Sequence, residues 1–234
     1  MPMTDLLRPT VFAGASVLPL EASLLASADL RPPVRRGDIA QLAGERPGLA
    51  VIIDGFFGAT LAVSPTECRD ALDAGWTLVG CSSMGALRAA DLWPLGMIGM
   101  GWVYHQYRLG RLVSDADVAV ALHPDSHAEL TVSMVHLRFM LDDRVRRGIL
   151  ETPLRGRMEE VARSIHWEGR SWRACQRAWA AAQIPEAAIH DIRACSSDPT
   201  LHPKVVDAKT TLEMTLGGDG RSFLERVLPV EPFR

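Results

Sequence analysis

Two continuously apolar segments, each followed by a helical pattern, constrain the fold of this chain most strongly. The first reads GLAVIIDGFFG at 48–58 and precedes a helix-like segment that begins with Ser-Pro at 64–75. The second reads WTLVG at 76–80 and passes directly into SSMGALRAADL at 82–92. Strands that are apolar on both faces are typical of parallel sheets covered by helices on both sides. The pattern therefore predicts βαβ units.

The neighbouring segments extend this prediction. TVFAGAS at 10–16 reads as a first buried strand, 20–28 has helical spacing, and 30–43 reads as a proline-rich loop and then a helix with Asp38 as its N-cap. The glycine-rich segment 94–112 becomes helical toward its end.

From about residue 128 onward the pattern is mostly helical. We therefore predict an α/β fold in two parts. A parallel-sheet βαβ core covers residues 1–125, and a mainly helical C-terminal region, 126–234, packs on that core.

Composition narrows the classes of partner. The 234 residues carry 25 basic and 28 acidic side chains, a net charge of −3 that gives no overall basic field for nucleic acid. No segment reaches the roughly 20 apolar residues of a membrane span, and we expect no signal peptide. The four cysteines form no CxxC pair, which favours free thiols in a reducing cytoplasm over disulfides or a zinc site.

Three loops follow the predicted strands, and each of them contains small or polar residues. The loops contain Ser16, Asp54 and the pair Ser82-Ser83. Since the carboxyl ends of parallel strands line one crevice, we expect these loops to converge and assign Ser16, Asp54 and Ser82 to substrate binding.

Ser83 is the candidate nucleophile. Cys81-Ser82-Ser83-Met84-Gly85 has the pattern small-x-Ser-x-small, in which small neighbours let a strand turn sharply into a helix and hold the hydroxyl outward. The amides of Met84 and Gly85 would then face a developing oxyanion. The alternative is a serine that only caps the helix, in a turn that binds an anion.

A nucleophilic serine needs a base, and His123 is our candidate because it ends the apolar segment VAVAL just before a proline. Asp54 and Glu67 are alternative bases. We expect His136 to lie in a helical core and His202 to lie on the surface of the helical region.

Arg88 could hold a substrate carboxylate at the mouth of the crevice, or pair with Asp91 along the helix surface. The SDADV segment at 114–118 reads as a solvated turn and helix cap, and we predict no metal site.

In order along the chain, several motifs together resemble the TfuA-like family, from about residue 11 to 124. They read VFAGAS, RPPVRRGDI, VIIDGFF, VGCSSMGALRAADL, GMIGMGWVYHQYRLG and SDADVAVALHP. The segment SSMGALRAA followed by GMIGMG is the most specific part of the resemblance.

This resemblance implies a partner of a YcaO-type, ATP-dependent enzyme that converts peptide backbone amides into thioamides in ribosomally made peptides (RiPPs). The implied activity is hydrolysis of the C-terminal thiocarboxylate of a ThiS-like sulfur carrier, which releases sulfide to YcaO. The resemblance implies that the precursor peptide binds to YcaO and reaches this protein only through YcaO. No metal or organic cofactor is implied.

Two departures from the family pattern keep a second hypothesis open. Ala15 stands where the family often has a proline, and Pro65 stands where it often has a histidine. The alternative is a non-catalytic subunit that binds and activates YcaO. A third interpretation, nucleotide binding, lacks a Walker lysine and a glycine motif directly after a strand.

Overall fold

A five-stranded parallel sheet forms the first half of the molecule. A computed structural model describes residues 8–58, 61–217 and 223. The strands are β1 (Thr10–Phe12), β2 (Asp29–Arg31), β3 (Leu49–Ile52), β4 (Thr77–Gly80) and β5 (Ile98–Gly99). Every neighbouring pair is parallel, so the predicted α/β fold is confirmed.

The strand order is β2-β1-β3-β4-β5. Strand β2 lies on one side of β1, and the next strand in the chain, β3, lies on the other side of β1. In doubly wound sheets of this order, the crevice between the carboxyl ends of β1 and β3 is the usual binding position. The loops that contain Ser16 and Asp54 follow these two strands.

Nine α-helices accompany the sheet in the described part of the chain. They are α1 (Asp38–Ala43), α2 (Pro65–Asp73), α3 (Met84–Leu92), α4 (Gly101–Arg108), α5 (Met134–Arg146), α6 (Thr152–Arg163), α7 (Trp172–Ala181), α8 (Glu186–Cys195) and α9 (Pro203–Leu216). The predicted mainly helical C-terminal part is thereby confirmed, whereas the proposed boundary at residue 125 stays a prediction.

The two faces of the sheet are covered by different parts of the chain. One face packs on α1, α2 and α3 through a core that includes Ile52 and Leu78. The other face packs on α9, since Val51 and Val79 share a buried cluster with Leu212. The last described helix therefore completes the core of the first half.

The helices α5 to α8 form a separate hydrophobic core around Trp179, whose indole nitrogen donates to Met158 O at 2.9 Å. The ends of these helices carry the expected signals. Ser133 caps α5 through His136 N, and in the first half Ser64 and Glu67 form a capping box for α2.

Some local predictions were wrong. Segment 20–28 contains only a 3₁₀ turn, Ala22–Leu25, and Asp38 is the first residue of α1, after its N-cap Gly37. Strands β2 and β5 and helix α8 were missed. A three-residue edge strand with charged ends and a two-residue strand carry no apolar run, so periodicity does not reveal them.

The Gly217-Gly218 pair indicates the end of a helix in the sequence, and α9 ends just before it, at Leu216. Gly218 itself lies outside the described residues.

Candidate functional site

The turn from β4 into α3 is built on two glycines that face each other. A Cβ on Gly80 would lie 2.1 Å from Gly85 O, and a Cβ on Gly85 would lie 1.7 Å from Ile52 O. Only glycine allows the helix to start this close to the two central strands. Ser82 within the turn has a φ of 69°, which adds a left-handed residue at the bend.

The predicted convergence of the strand-end loops takes the form of a buried hydrogen-bond network. Asp54 Oδ2 accepts the backbone amides of Gly14 at 2.9 Å and Ser16 at 3.0 Å, and Asp54 Oδ1 accepts the Ser16 hydroxyl at 2.6 Å. The Ser82 hydroxyl lies 2.9 Å from Ser16 Oγ and 2.8 Å from Lys204 O, to which it donates. We call Ser16, Asp54 and Ser82 the serine network.

This network crosses the switch point between β1 and β3 and reaches α9. Ser16, Asp54 and Ser82 are at most 5% exposed. The network thus ties the two central loops to the first turn of the helix that covers the sheet.

Ser83 differs from its neighbour Ser82. It is the N-cap residue of α3 and is 3% exposed, yet its side chain makes no capping hydrogen bond. Its backbone amide donates to Cys81 O at 2.8 Å. The hydroxyl of Ser83 is therefore not committed to the helix that it begins.

The amides that follow Ser83 differ from each other. Gly85 N–H donates to Ile53 O at 3.4 Å, at the long end of hydrogen-bond geometry. Met84 N–H has no backbone acceptor among the described residues. Met84 N–H is therefore the candidate oxyanion donor of this turn.

His123 and Arg88 have partners of their own. His123 is exposed, and its Nδ1 accepts long hydrogen bonds from the amides of Asp125 and Ser126 at 3.3 and 3.4 Å. No hydrogen bond joins it to Ser83 within the described ranges. Arg88 Nε donates to Val63 O at 2.9 Å, and Arg88 Nη1 lies 2.5 Å from Asp91 Oδ2.

A groove opens at the loop that follows β3. A Cβ on Gly55 would lie 2.8 Å from Met84 Cγ, so the backbone after β3 touches the residue that follows Ser83. A cavity of about 350 Å³ begins at Gly55. Its other lining residues are mainly apolar: Phe56, Phe57, Val120, Ala121, Leu122, Trp167 and Glu168.

A second buried polar group lies where α9 meets the segment before α5. Lys204 Nζ lies 2.5 Å from Glu129 Oε1, and His202 Nε2 lies 3.3 Å from Glu129 Oε2. The His136 ring stacks on the His202 ring with centroids 3.9 Å apart. We call Glu129, His136, His202 and Lys204 the histidine cluster.

Burial and charge act against each other in the histidine cluster. Burial alone would raise the pKa of Glu129, but the charges and hydrogen bonds of Lys204 and His202 hold that pKa well below its usual value. Burial holds the pKa of His136 well below its usual value. Glu129 is therefore ionised and His136 neutral at neutral pH.

Asp207 is a third buried anchor of α9. Its carboxylate accepts the amides of Trp102 at 2.7 Å and Val103 at 2.8 Å, at the start of α4. Burial raises its pKa to about 7 despite these two hydrogen bonds. A Cβ on Gly101, whose φ is 90°, would clash with this carboxylate, so glycine at this position permits both the backbone conformation and the close packing.

The cysteines are poor candidates for sulfur chemistry. Burial raises the pKa of Cys68 to about 12 and of Cys175 to about 11, and it raises the pKa of Cys81 and Cys195 as well. Because the thiolate is the reactive form, the raised pKa values disfavour these cysteines as nucleophiles at neutral pH.

Sequence reasoning missed the contribution of α9. We expected His202 on the surface, but its side chain is 17% exposed and contacts Glu129, 73 residues earlier in the chain. Lys204 reads as an ordinary surface lysine in sequence, yet it is 1% exposed. No local pattern reveals a contact of this sequence separation.

Comparison with known proteins gives one family. A family model described as TfuA-like protein matches residues 54–171, half of the chain. That range contains β4, Ser83, α3, Glu129 and His136. No curated protein matches the chain. None of the helices in the described part of the chain is long and apolar enough to cross a membrane.

Proposed function

The chain belongs to the TfuA-like family, and from this premise we propose that it hydrolyses the thiocarboxylate of a ThiS-like sulfur carrier and supplies sulfide to a YcaO-type enzyme. YcaO would use ATP and this sulfide to convert backbone amides of a precursor peptide into thioamides, as RiPP biosynthesis requires. The protein would act as an accessory subunit of YcaO.

One observation carries the proposal: Ser83 lies within the family motif, at the start of α3, with a side chain that makes no capping hydrogen bond. Ser82, one residue earlier, is committed to the serine network. Two adjacent serines thus have different positions, and the second is the candidate nucleophile.

The proposed reaction is an acyl transfer. Ser83 Oγ bonds to the carbonyl carbon of the carrier thiocarboxylate, the C–S bond breaks, and the serine proton leaves with sulfur as hydrosulfide. Water then cleaves the acyl-serine ester, which returns the serine and gives a carrier carboxylate and one proton. Met84 N–H, with Gly85 N–H as a weaker donor, stabilises the oxyanion of each tetrahedral intermediate.

The groove at Gly55, whose backbone touches Met84, is a candidate position for an extended substrate. Its apolar lining can hold a carrier tail, and Arg88 lies one turn along α3, paired with Asp91. A tail carboxylate or thiocarboxylate can compete with Asp91 for this guanidinium. Cysteine-based persulfide transfer is less well supported, because three of the four thiols are buried and the pKa of each of the four is raised.

The direct test measures sulfide release from a purified thiocarboxylated carrier. We expect Ser83→Ala to lower the rate at least about 100-fold, as the loss of a nucleophile does. Ser23→Ala, which changes an exposed serine outside this turn, is the control and keeps the rate of the wild type. An unchanged rate in Ser83→Ala would show that this serine is not the nucleophile.

His123 stays our predicted general base, and its exposed position makes it simple to test. Since general-base catalysis contributes about 100-fold or more, His123→Ala should lower release by a similar factor. An unchanged rate would assign proton transfer to another group or to water.

A second candidate function is a non-catalytic subunit that activates YcaO. The 3% exposure of Ser83 favours it, since a nucleophile needs access to its substrate. The discriminating assay supplies free sulfide to YcaO. Equal activation by wild type and Ser83→Ala, with no carrier hydrolysis by either, would establish the second function.

A further inference from the structure

We propose that Glu129, His136 and His202 bind a divalent transition-metal ion, with zinc as the best match, at the junction of α5, α9 and the segment before α5. Each of the three residues offers one ligand atom, and these atoms all lie within 4.8 Å of one another. The proposal is independent of the reaction at Ser83.

The donor set is that of a zinc site. Two imidazoles and one carboxylate are a common set of three protein ligands for zinc, with a fourth position left open. Zn–N and Zn–O bonds of about 2.0–2.1 Å place tetrahedral ligand atoms about 3.3 Å apart. Glu129 Oε2 and His202 Nε2 are separated by 3.3 Å, which matches this edge.

The second observation is a missing partner. His136 is 4% exposed, and its Nε2 has no hydrogen-bond partner within the described part of the chain. A buried polar atom without a partner is destabilising, and native proteins rarely keep one without a reason. A metal ion bound to this nitrogen would remove the penalty.

Lys204 and His202 approach different oxygens of the Glu129 carboxylate. The ammonium of Lys204 lies beside Glu129 Oε1, whereas Oε2 faces His202. A carboxylate that binds a metal through one oxygen commonly accepts a hydrogen bond on the other. Lys204 is therefore the outer partner of the ligating carboxylate. Its positive charge opposes the ion and moderates the affinity.

The alternative is a polar cluster that only joins α9 to the preceding segment, with water on His136. A measurement of metal binding distinguishes the metal site from the purely structural cluster. The full-length protein is stripped with a chelator and titrated with Zn²⁺ against a chromophoric chelator. We expect one ion per chain, and the absorption bands of tetrahedral Co²⁺ when cobalt replaces zinc.

Variants assign the ion to the cluster. Glu129→Gln and His202→Gln should each weaken zinc binding at least about 100-fold, since even the loss of an outer-shell partner costs 10–100-fold. His190→Gln, which changes an exposed histidine of α8, is the matched control and should bind as wild type does.

Two results would overturn the proposal. One is the absence of stoichiometric zinc binding by wild-type protein. The other is binding that falls equally in His190→Gln and His202→Gln, which would locate the ion among surface histidines. If His202→Gln does not fold, His136→Gln serves in its place, and unchanged binding by that variant would also contradict the site.

Discussion

The serine network and the histidine cluster are both buried and both polar, but they differ in how far their hydrogen bonds are satisfied. Asp54 accepts three hydrogen bonds, and Ser82 links two loops to α9. In the cluster, His136 Nε2 and His202 Nδ1 have no partner among the described residues. A saturated network fixes structure, whereas unsatisfied donors and acceptors are where a ligand can gain binding energy.

Lys204 connects the two regions. Its carbonyl oxygen accepts the Ser82 hydroxyl, and its ammonium pairs with Glu129. A change at the start of α9 therefore reaches the loops at the switch point and the cluster at the same time. Substitutions in the two regions therefore test how differently the serine network and the histidine cluster contribute to stability.

The largest expected effect is that of Asp54→Ala. The substitution leaves the Gly14 and Ser16 amides and the Ser16 hydroxyl without their acceptor, each in the interior. Since each of the three buried groups costs about 1–3 kcal/mol when left unsatisfied, we expect the free energy of unfolding, measured in urea, to fall by about 6 kcal/mol. A loss below about 1 kcal/mol would mean that water replaces the carboxylate and that the network is not structural.

Lys204→Met should have the next largest effect. It leaves Glu129 ionised without the ammonium beside it, and breaking one side of a buried ion pair costs about 3–5 kcal/mol. The double variant Glu129→Gln/Lys204→Met should recover part of this loss, because it removes both charges. Additive losses in the double variant would contradict a direct interaction between the two groups.

Asp207 provides the next comparison, between a buried carboxyl group and the serine hydroxyls as groups that hold α9 in place. Its pKa is raised to about 7 in the folded protein, so the folded state holds a proton that the unfolded state releases at lower pH. Its contribution to stability is therefore full below about pH 4 and is lost as pH rises toward 7.

In Asp207→Asn this loss should be absent. Relative to the variant, the wild type should lose about 1 kcal/mol or more of unfolding free energy between pH 4 and 7. The measurement is a series of urea unfolding curves for both proteins. Parallel pH profiles would show that the pKa of Asp207 is the same in the folded and the unfolded protein, so that its two amide hydrogen bonds offset the effect of burial.

Sequence analysis could predict the parts of the molecule that rest on local pattern. The apolar segments around Ile52 and Leu78 identified β3 and β4, and small residues around Ser83 identified the sharp turn into α3. The convergence of Ser16, Asp54 and Ser82 followed from the geometry of parallel strands.

The histidine cluster could not be predicted in the same way. Glu129 and His202 are 73 residues apart, and their contact depends on how α9 returns to the sheet. Lys204 is buried because α9 covers the sheet and the junction together, although lysine is among the residues least often buried. Tertiary packing, which no short window of sequence contains, decides these positions.

The smallest expected effect distinguishes the two adjacent serines. Ser82→Ala removes a hydroxyl that donates into the interior, and we expect it to cost about 1–2 kcal/mol of unfolding free energy. Ser83→Ala removes a hydroxyl without a capping hydrogen bond and should change stability by less than about 0.5 kcal/mol. If Ser83→Ala also abolishes sulfide release, the same turn contains one serine for structure and one for chemistry. If Ser83→Ala costs as much stability as Ser82→Ala, both hydroxyls serve the fold, and the subunit that activates YcaO without catalysis becomes the better account.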